Sequence, residues 1–373
     1  MKILLTGAAG FLGYHTRVRL RALTEHEVVL ATRDNWSNLT SLASDCDAVI
    51  HIAGVNRGAP HDVEGGNVRL AEDVAAAIAG SKVQRIVFAN SIWAGTGTPY
   101  GAGKSKANSI LGEAAAQAAV TYVDVRLPNI FGEGGRPNYN SFVATFVDKV
   151  VAGESPEIQD RDIHLLHVQE AAATLIHGLD TTLPFLEPLG SPTSVQKVWD
   201  TLVSMKALYD TGDIPPLLNE LDIELFNSLR YRMFPDYYPI GLIKHSDDRG
   251  DLVETVRAHG GQGQTFVSTT HPGITRGEHF HIEKVERFVV IRGKARISLR
   301  QVFTDKVVTF DVDGENPAIV DMPTFWVHNI TNIGAEELVT LFWAHELFNP
   351  KAPDTYWEAV EPSAAIEQGR MIK

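Results

Sequence analysis

The sequence predicts a doubly wound parallel α/β sheet followed by an all-β barrel or jelly roll, and three observations carry that prediction. Over about the first 130 residues, short β-branched runs alternate with helical stretches, the pattern of parallel strands covered by helices on both faces. A glycine-rich turn follows the first of those runs directly. From Ile243 the texture changes to short β runs separated by Gly, Asp and Asn turns, without helical periodicity.

In order along the chain, strands are expected at Lys2–Thr6, Glu27–Ala31, Ala48–Ile52, Arg85–Ala89 and Tyr122–Arg126. Between them, Leu70–Ala79 and Lys104–Ala119 read as helices with small Ala-rich faces suited to close packing on a sheet. Ser191–Phe234 also reads as helical, with Val195, Val198, Trp199, Leu202 and Val203 at three- and four-residue spacing and a break at Pro215 and Pro216. Later β runs fall at Thr265–Thr269, Arg287–Ile291, Ala295–Arg300, Lys306–Asp311 and Leu338–Trp343. At 373 residues the chain suits two domains better than one core, since domains run to roughly 100 to 200 residues. The boundary falls at the Pro235–Pro239 segment, giving residues 1–241, with the helices as a substrate lobe, and residues 242–373.

Composition narrows the partners. With 33 basic against 46 acidic residues the net charge is −13, which offers a nucleic-acid backbone no overall attraction. One pocket with a few Arg or amide donors still suffices to bind a diphosphate. The single cysteine, Cys46, permits no internal disulfide, and neither a signal-peptide pattern nor about 18 uninterrupted apolar residues occurs, so a cytoplasmic protein with no membrane partner is expected.

Chemistry concentrates in three places. The first is Gly7-Ala8-Ala9-Gly10-Phe11-Leu12-Gly13, between a strand and a helix. Its glycines allow a tight turn and close backbone approach to a pyrophosphate at the helix N-terminus. The second strand ends without the acid that would accept from a ribose 2′-hydroxyl. Arg33 is a candidate partner for a 2′-phosphate, hence for NADPH; the alternative is a surface Arg without a role. His51 reads as a packed strand residue.

The second place is Tyr100 and Lys104, four apart and so on one helix face. The ammonium is expected to lower the phenol pKa, and the phenol to protonate a ketone oxygen as it becomes an alkoxide. Ser91, at the end of the fourth strand, is placed to orient the carbonyl. Only eight residues separate Ser91 from Tyr100, which leaves Thr96 and Thr98 as rival hydroxyls.

The third place lies in the β-rich half. Gly273, His279, His281, Glu286 and Gly293 follow with five, one, four and six residues between them, and Pro323, His328 and Asn332 with four and three. His279 and His281 alternate on a strand and face one side, so a barrel can aim them, Glu286 and His328 at one point. Three His and one Glu suit a first-row divalent metal, among which zinc, iron, manganese and nickel all fit. Surface histidines, or a structural metal, are the plainer alternatives.

These pieces resemble known families. The GxxGxxG turn, Asp47–Gly54, Ser91, the Tyr100/Lys104 pair, Arg126-Leu127-Pro128-Asn129-Ile130-Phe131-Gly132 and His167-Val168-Gln169-Glu170-Ala171 are similar to extended short-chain dehydrogenase/reductases acting on nucleotide sugars. That resemblance implies Ser91, Tyr100 and Lys104 as the catalytic trio. It also implies dinucleotide contacts from Gly7, Gly10, Phe11, Leu12, Gly13 and Ala53, with Pro128 beside the nicotinamide and Asn129 facing the substrate. The later spacings resemble the two cupin motifs, with Phe325 standing where the second usually has glycine. Ile274–His279 and Ser246–Glu254 resemble cupin deoxysugar epimerases, in which the corresponding His is a general base rather than a ligand; Arg249 and Arg276 are then substrate contacts.

The whole chain resembles bifunctional capsular-polysaccharide enzymes of the CapF/WbjC type. This implies a UDP-2-acetamido-2,6-dideoxy-hexos-4-ulose substrate, C3 epimerisation in a zinc-bearing cupin, NADPH reduction of the C4 ketone, and a homodimer. Two rivals stand beside it: a nucleotide-4-keto-hexose reductase whose cupin only binds or dimerises, and a non-catalytic nucleotide sensor.

Overall fold

The structure, a computed structural model, describes residues 1–361. The first half runs β1 (Lys2–Thr6), α1 (Phe11–Leu23), β2 (Glu27–Ala31), α2 (Leu39–Ala43), β3 (Ala48–His51), α3 (Pro60–Ile78), β4 (Arg85–Ser91), α4 (Pro99–Gln117), β5 (Thr121–Leu127), β6 (Asn129–Phe131), α5 (Phe142–Ala152), β7 (Asp162–His167), α6 (Val168–His177), β8 (Phe185–Leu186) and β9 (Ser191–Ser194). Then come α7 (Val195–Tyr209), α8 (Glu220–Met233), β10 (Ile240–Gly241), β11 (Lys244–Asp247), β12 (Gly250–Val253), β13 (Gln264–Thr270), β14 (Thr275–Phe280), β15 (Glu286–Arg292), β16 (Lys294–Gln301), β17 (Val307–Asp313), β18 (Ala318–Met322), β19 (Trp326–Asn332), β20 (Leu338–Ala344) and β21 (Tyr356–Trp357). The chain divides into two compact units, Met1–Thr145 with Gln159–Val195, and Phe146–Ile158 with the residues from Gln196.

In the first unit a parallel sheet has the order β2-β1-β3-β4-β5-β8. Strand order reverses between β1 and β3, so the connections leaving their carboxyl ends run to opposite faces of the sheet and open the crevice in which such folds take ligands. Both sheet faces are buried, one against α2, α3 and α4 through Leu4, Val49, Ala71, Val74, Phe88 and Leu111, the other against α1 and α6 through Ile3, Ile50, Val87, Leu20 and Leu175. Apolar residues on both faces explain why these strands read as continuous β-branched runs rather than alternating ones. A second sheet of β6, β7 and β9, with β6 and β7 parallel, was not expected: β6 has three residues and β9 is Ser-Pro-Thr-Ser, too short and too polar to stand out in the sequence.

The second unit holds two antiparallel five-stranded sheets, β10-β18-β15-β20-β13 and β17-β16-β19-β14-β21, and a separate β11–β12 hairpin. The strands of these two sheets bury Val289, Ile297, Leu299, Val320, Val327 and Ile330, in the cupin-like jelly roll expected from the sequence. Helices α7 and α8 count with this unit, whereas chain texture had attached them to the sheet domain. Packing explains the difference. The buried Arg287 guanidinium donates to the Asp321 carboxylate at 2.8 and 3.0 Å and to the Gly212 carbonyl at 2.6 Å, and Tyr209 of α7 donates to the same carboxylate at 2.6 Å. Arg230 of α8 reaches the Met322 carbonyl at 3.0 Å. No helix of the described residues is long and apolar enough to cross a membrane.

Candidate active site and metal centre

At the head of the sheet, Gly7 has φ +68°, and a Cβ there would lie 2.7 Å from the Ala53 nitrogen; at Gly13 it would lie 2.1 Å from the Gly7 carbonyl oxygen. The turn therefore admits no side chain on either side, and α1 begins at Phe11 behind Gly10, with neither a side-chain cap nor an acidic residue in its first turn. Free N–H groups and the positive end of the helix dipole thus face outward, as a pyrophosphate requires. Thr6 locks the neighbouring strand end by accepting from the Ile52 and Ala53 N–H groups at 3.1 and 3.2 Å and pairing with His51 Nδ1 at 2.7 Å. His51 is buried, stacked on Phe88 at 5.5 Å, and pushed down to about 3 by burial, so it is the packed strand residue that its position suggested. Beneath this corner, Glu133, His167, His15 and Gln169 form a buried network: His167 Nε2 meets the Glu133 carboxylate at 3.0 Å and His15 the Glu133 carbonyl at 2.8 Å. Arg33 is exposed just beyond β2, and Pro128 and Asn129 lie half-buried where β5 passes into β6, Asn129 donating to the His164 carbonyl at 3.4 Å.

Ser91 ends β4, and Tyr100 and Lys104 occupy the first turns of α4. Lys104 is buried; its ammonium donates to the Ala89 carbonyl at 2.7 Å and lies 4.6 Å from the Phe88 ring centroid. Burial pushes it down to about 8, with Asp124 opposing. The expected lowering of the phenol gives way to burial as well, which raises Tyr100 above its ordinary value while a hydrogen bond with Ser91 counters it. A phenol held protonated beside a serine hydroxyl is a proton donor at neutral pH. The rival hydroxyls have other work: Thr98 caps α4 by accepting from Gly101 N at 3.0 Å, and Thr96 donates to the Trp93 carbonyl at 2.8 Å. Tyr100 borders a pocket of about 370 Å³ that is also lined by Asn56, Arg57, Gly58, Pro60, Val63, Thr98 and Pro99.

In the barrel, His279, His281, Glu286 and His328 bring one potential ligand atom each to within 4.8 Å of one another. A bulge between Gly277 and His279 sets His279 opposite His328 across β14 and β19. Glu278 takes φ +64° there, and its carboxylate accepts from Asn329 Nδ2 at 2.7 Å and Val360 N at 2.6 Å. The imidazoles are aimed by their far nitrogens: His281 Nδ1 donates to the Asp354 carbonyl and His328 Nδ1 to the Trp326 carbonyl at 3.0 Å. Both then present Nε2, at 3.1 and 3.5 Å from Glu286 Oε2, and His328 Nε2 is buried without a full hydrogen bond. Burial and its two neighbouring imidazoles push His279 down to about 2, and burial also lowers His328. Burial opposes ionisation of Glu286, but the adjacent histidines outweigh it and hold the carboxyl well below its ordinary range. Burial opposes the charge on His281, but Glu286 in turn holds it above its ordinary value. An ionised carboxylate beside three imidazoles, with His328 Nε2 otherwise unused, thus fits a divalent cation that displaces the His281 proton.

Asp354 escaped the sequence reading. Its carboxylate accepts from the Ile282, Glu283 and Lys284 N–H groups at 3.0, 2.9 and 2.8 Å while its carbonyl takes the His281 proton. Arg300 then ties down the following segment at Glu358, Ala359 and Val360. Phe325, in the place of the usual glycine, adopts the glycine-like φ of +65° with its ring fully buried. The two expected substrate arginines are not drawn into the cluster: Arg249 is exposed in the β11–β12 hairpin on Asp247, and Arg276 is exposed on β14, donating to Thr270 Oγ1 at 3.1 Å.

Residues 3–182 match the NAD dependent epimerase/dehydratase family and residues 245–356 the polysaccharide biosynthesis C-terminal domain. Fold, site and match together define an NAD(P)-dependent sugar-nucleotide oxidoreductase/epimerase joined to a cupin-like barrel. The chain is 31% identical to the UDP-2-acetamido-2,6-beta-L-arabino-hexul-4-ose reductase of Pseudomonas aeruginosa, across 95% of this chain and 98% of that protein. It is 29% identical, at a TM-score of 0.62, to the solved capsular polysaccharide assembling protein CapF from Staphylococcus aureus, over 96% of this chain and all of that one. The chain therefore belongs to the CapF-type family. The barrel half alone is 29% identical over 122 residues to the spore coat polysaccharide biosynthesis protein SpsL of Bacillus subtilis, 30% of this chain and 81% of that one.

Proposed function

We propose that this chain uses NADPH to reduce the C4 ketone of a UDP-2-acetamido-2,6-dideoxy-hexos-4-ulose to a UDP-6-deoxy-talosamine derivative. Inversion at C3 in the cupin precedes that step, on the route to UDP-N-acetyl-L-fucosamine for capsular polysaccharide. The observation that carries the reading is the Tyr100 phenol, which borders a pocket and is held protonated beside the buried Ser91 hydroxyl, in a chain related along its length to a hexul-4-ose reductase.

The Gly7–Gly13 turn, Ala53 and Pro128 would hold the dinucleotide, with Arg33 at its 2′-phosphate and Lys104 at its nicotinamide ribose. When bound, NADPH supplies hydride to C4. Ser91 orients the carbonyl, and Tyr100 gives its proton to the C4 oxygen as negative charge develops there. Lys104, below its pKa of about 8, keeps a positive charge under the reacting groups and so favours proton loss from the phenol at that moment rather than before.

In the barrel the chemistry begins from the acidity that a C4 ketone confers on the C3 hydrogen. His281, Glu286 and His328, with His279, would hold zinc, which when bound supplies a positive charge near the sugar. The C3 proton leaves to a base on one face of the ring and returns from the other. His279 is the half-buried member of the cluster and serves either as the fourth ligand or as that base.

The test incubates the full chain with a UDP-4-keto-6-deoxy-N-acetylhexosamine in D₂O, first without and then with NADPH, while metal content is measured on the same sample. Deuterium at C3 before cofactor is added, followed by NADPH oxidation, is the expected result. Absence of exchange in metal-loaded protein that still oxidises NADPH removes the epimerase half and leaves a reductase with a binding module. A His279→Gln variant that retains metal but loses exchange assigns the base.

A further inference from the structure

Beside the His279 cluster one large side chain stands in the open. Trp357 is 79% exposed, and it belongs to β21, a strand of only two residues that ends the sheet carrying His279 and His328. Antiparallel pairing sets His279 opposite Trp357 and Phe280 opposite Tyr356. Directly opposed residues share a face of a sheet, so the indole lies on the side of the cluster, its ring centroid 6.4 Å from that of His279. Tyr356 takes the other face, 5.4 Å from the Phe280 ring.

A lone exposed apolar residue needs no explanation on most surfaces. What sets Trp357 apart is how firmly its backbone is held. On one side Asp354 anchors the chain through the N–H groups of Ile282, Glu283 and Lys284, and the Pro353 carbonyl accepts from Lys284 Nζ at 2.7 Å. On the other, Glu358 N donates to the Glu278 carbonyl at 3.1 Å, Val360 N to the Glu278 carboxylate, and the buried Arg300 closes on the same segment. An indole fixed in this way loses little further freedom when a ligand arrives. The opposite sheet ends similarly: its last strand, β13, carries Phe266 in register with Phe342 and Phe288, hence on the face of Glu286, and the Phe266 ring is 39% exposed.

We infer that Trp357 receives the C6 methyl group of the substrate while C3 is inverted, and so selects 6-deoxy sugars over their 6-hydroxy counterparts. The inference rests on the reading of the barrel as the C3 epimerase. In that reading His279, whether ligand or base, marks where C3 lies. Three carbon–carbon bonds of about 1.5 Å each separate C3 from C6. A sugar that presents its C3–C4–C5 edge to these two strands therefore sets C3 at the imidazole and the methyl at the neighbouring indole. The other apolar parts of the substrate do not suit that place, since the acetamido group sits on C2 and the uracil lies beyond two phosphates. Contact at C6 also leaves both ring faces open at C3, as a proton leaving from one and returning from the other requires. A hydroxymethyl group in the same place would surrender water without gaining a partner from the indole face.

The test follows deuterium entry at C3 in the full, metal-loaded chain without NADPH, using the 4-keto-6-deoxy substrate. Trp357→Ala is expected to raise the KM for exchange about tenfold while exchange at saturation stays within about threefold. Metal content, and NADPH oxidation with substrate already inverted at C3, should not change. Trp357→Phe, which keeps an apolar ring, should lose less. As inhibitors of wild-type exchange, a UDP-6-deoxy-N-acetylhexosamine should bind about tenfold tighter than the matching UDP-N-acetylhexosamine, and the difference should vanish in Trp357→Ala. An unchanged KM in that variant overturns the inference, as does a 6-deoxy preference that survives the substitution. Failure of the epimerase reading is visible separately. If wild-type protein exchanges no C3 hydrogen, the same two analogues are titrated against tryptophan fluorescence. A quench that favours the 6-deoxy sugar and is absent from Trp357→Phe keeps the methyl contact and removes the inversion, whereas identical quenching in both proteins removes the contact as well.

Discussion

The two sites of this chain are assembled in opposite ways. The barrel cluster is finished before anything binds: its imidazoles are aimed by backbone carbonyls, its carboxylate is ionised, and its walls are buried strands. The reductase site is half a site, with a bare helix start, a protonated phenol and a buried lysine far below its ordinary pKa. Its electrostatics make sense only once an anionic dinucleotide has arrived. Ligands fixed in advance suit the metal proposed for the barrel, whereas charge and open donors held in reserve suit the dinucleotide of an NAD(P)-dependent site.

The sharpest way to break this contrast is Tyr100→Phe. If the phenol is the proton donor, NADPH oxidation should fall by about 10²- to 10⁴-fold, the usual worth of a positioned acid, while deuterium exchange at C3 continues in the barrel. Loss of both would mean that the sites are not separate.

Next comes the reserve of charge itself. Folded Lys104 titrates near 8 and an unfolded lysine near 10.4. Between those values the unfolded chain binds the extra proton, so stability should rise as pH climbs from about 8 to about 10.4, and the full cost, roughly 3 kcal/mol, should be present below 8. Lys104→Met is therefore expected to stabilise the cofactor-free chain at pH 7 by about 1–3 kcal/mol in denaturant unfolding, with the gain gone near pH 10.5, and to weaken NADPH. No gain at pH 7 would show the lysine already compensated in the free protein.

For the barrel the matching experiment is Asp354→Ala, which removes the acceptor for three N–H groups and loosens the carbonyl that holds His281. Zinc affinity by chelator competition should drop about 10- to 100-fold, as for other residues that orient metal ligands, and Asp354→Asn should recover part of it by keeping one acceptor oxygen. An unchanged affinity would mean that the cluster is rigid without this support. The smallest effect is expected at Arg33→Ala. NADPH should weaken about tenfold while NADH is untouched, and equal weakening of both would remove the 2′-phosphate contact.

The same contrast explains what could be read from sequence. The β1–β5 strands, the Gly7–Gly13 turn and the four clustered barrel residues were legible because each signal is local: an apolar run, a glycine turn, ligands at fixed intervals along strands. Ser91 was ambiguous because the loop to Tyr100 is short and holds two more hydroxyls, of which Thr98 caps α4 and Thr96 donates to the Trp93 carbonyl. Asp354 was invisible because it acts through a carbonyl and a carboxylate on residues some seventy positions earlier, a pairing with no periodic trace. The placement of α7 and α8 was hidden for a similar reason, since Tyr209, Arg287 and Asp321 form one buried network from three distant segments. Arg249 was read through resemblance, and its ion pair with Asp247 inside an exposed hairpin carries no sign of substrate in the free chain.

Phe325 connects local strain to specificity of sequence. A side chain in the left-handed region costs about 1–2 kcal/mol, yet this ring is fully buried, and burying a large apolar side chain returns about 1.5–3 kcal/mol. The burial thus outweighs the strain, but exchange for glycine would empty the space the ring fills and cost about 3–5 kcal/mol unless the neighbours repack. Ring and surroundings must therefore change together, and a search that demands glycine at this point in the second barrel motif would pass over relatives of this chain.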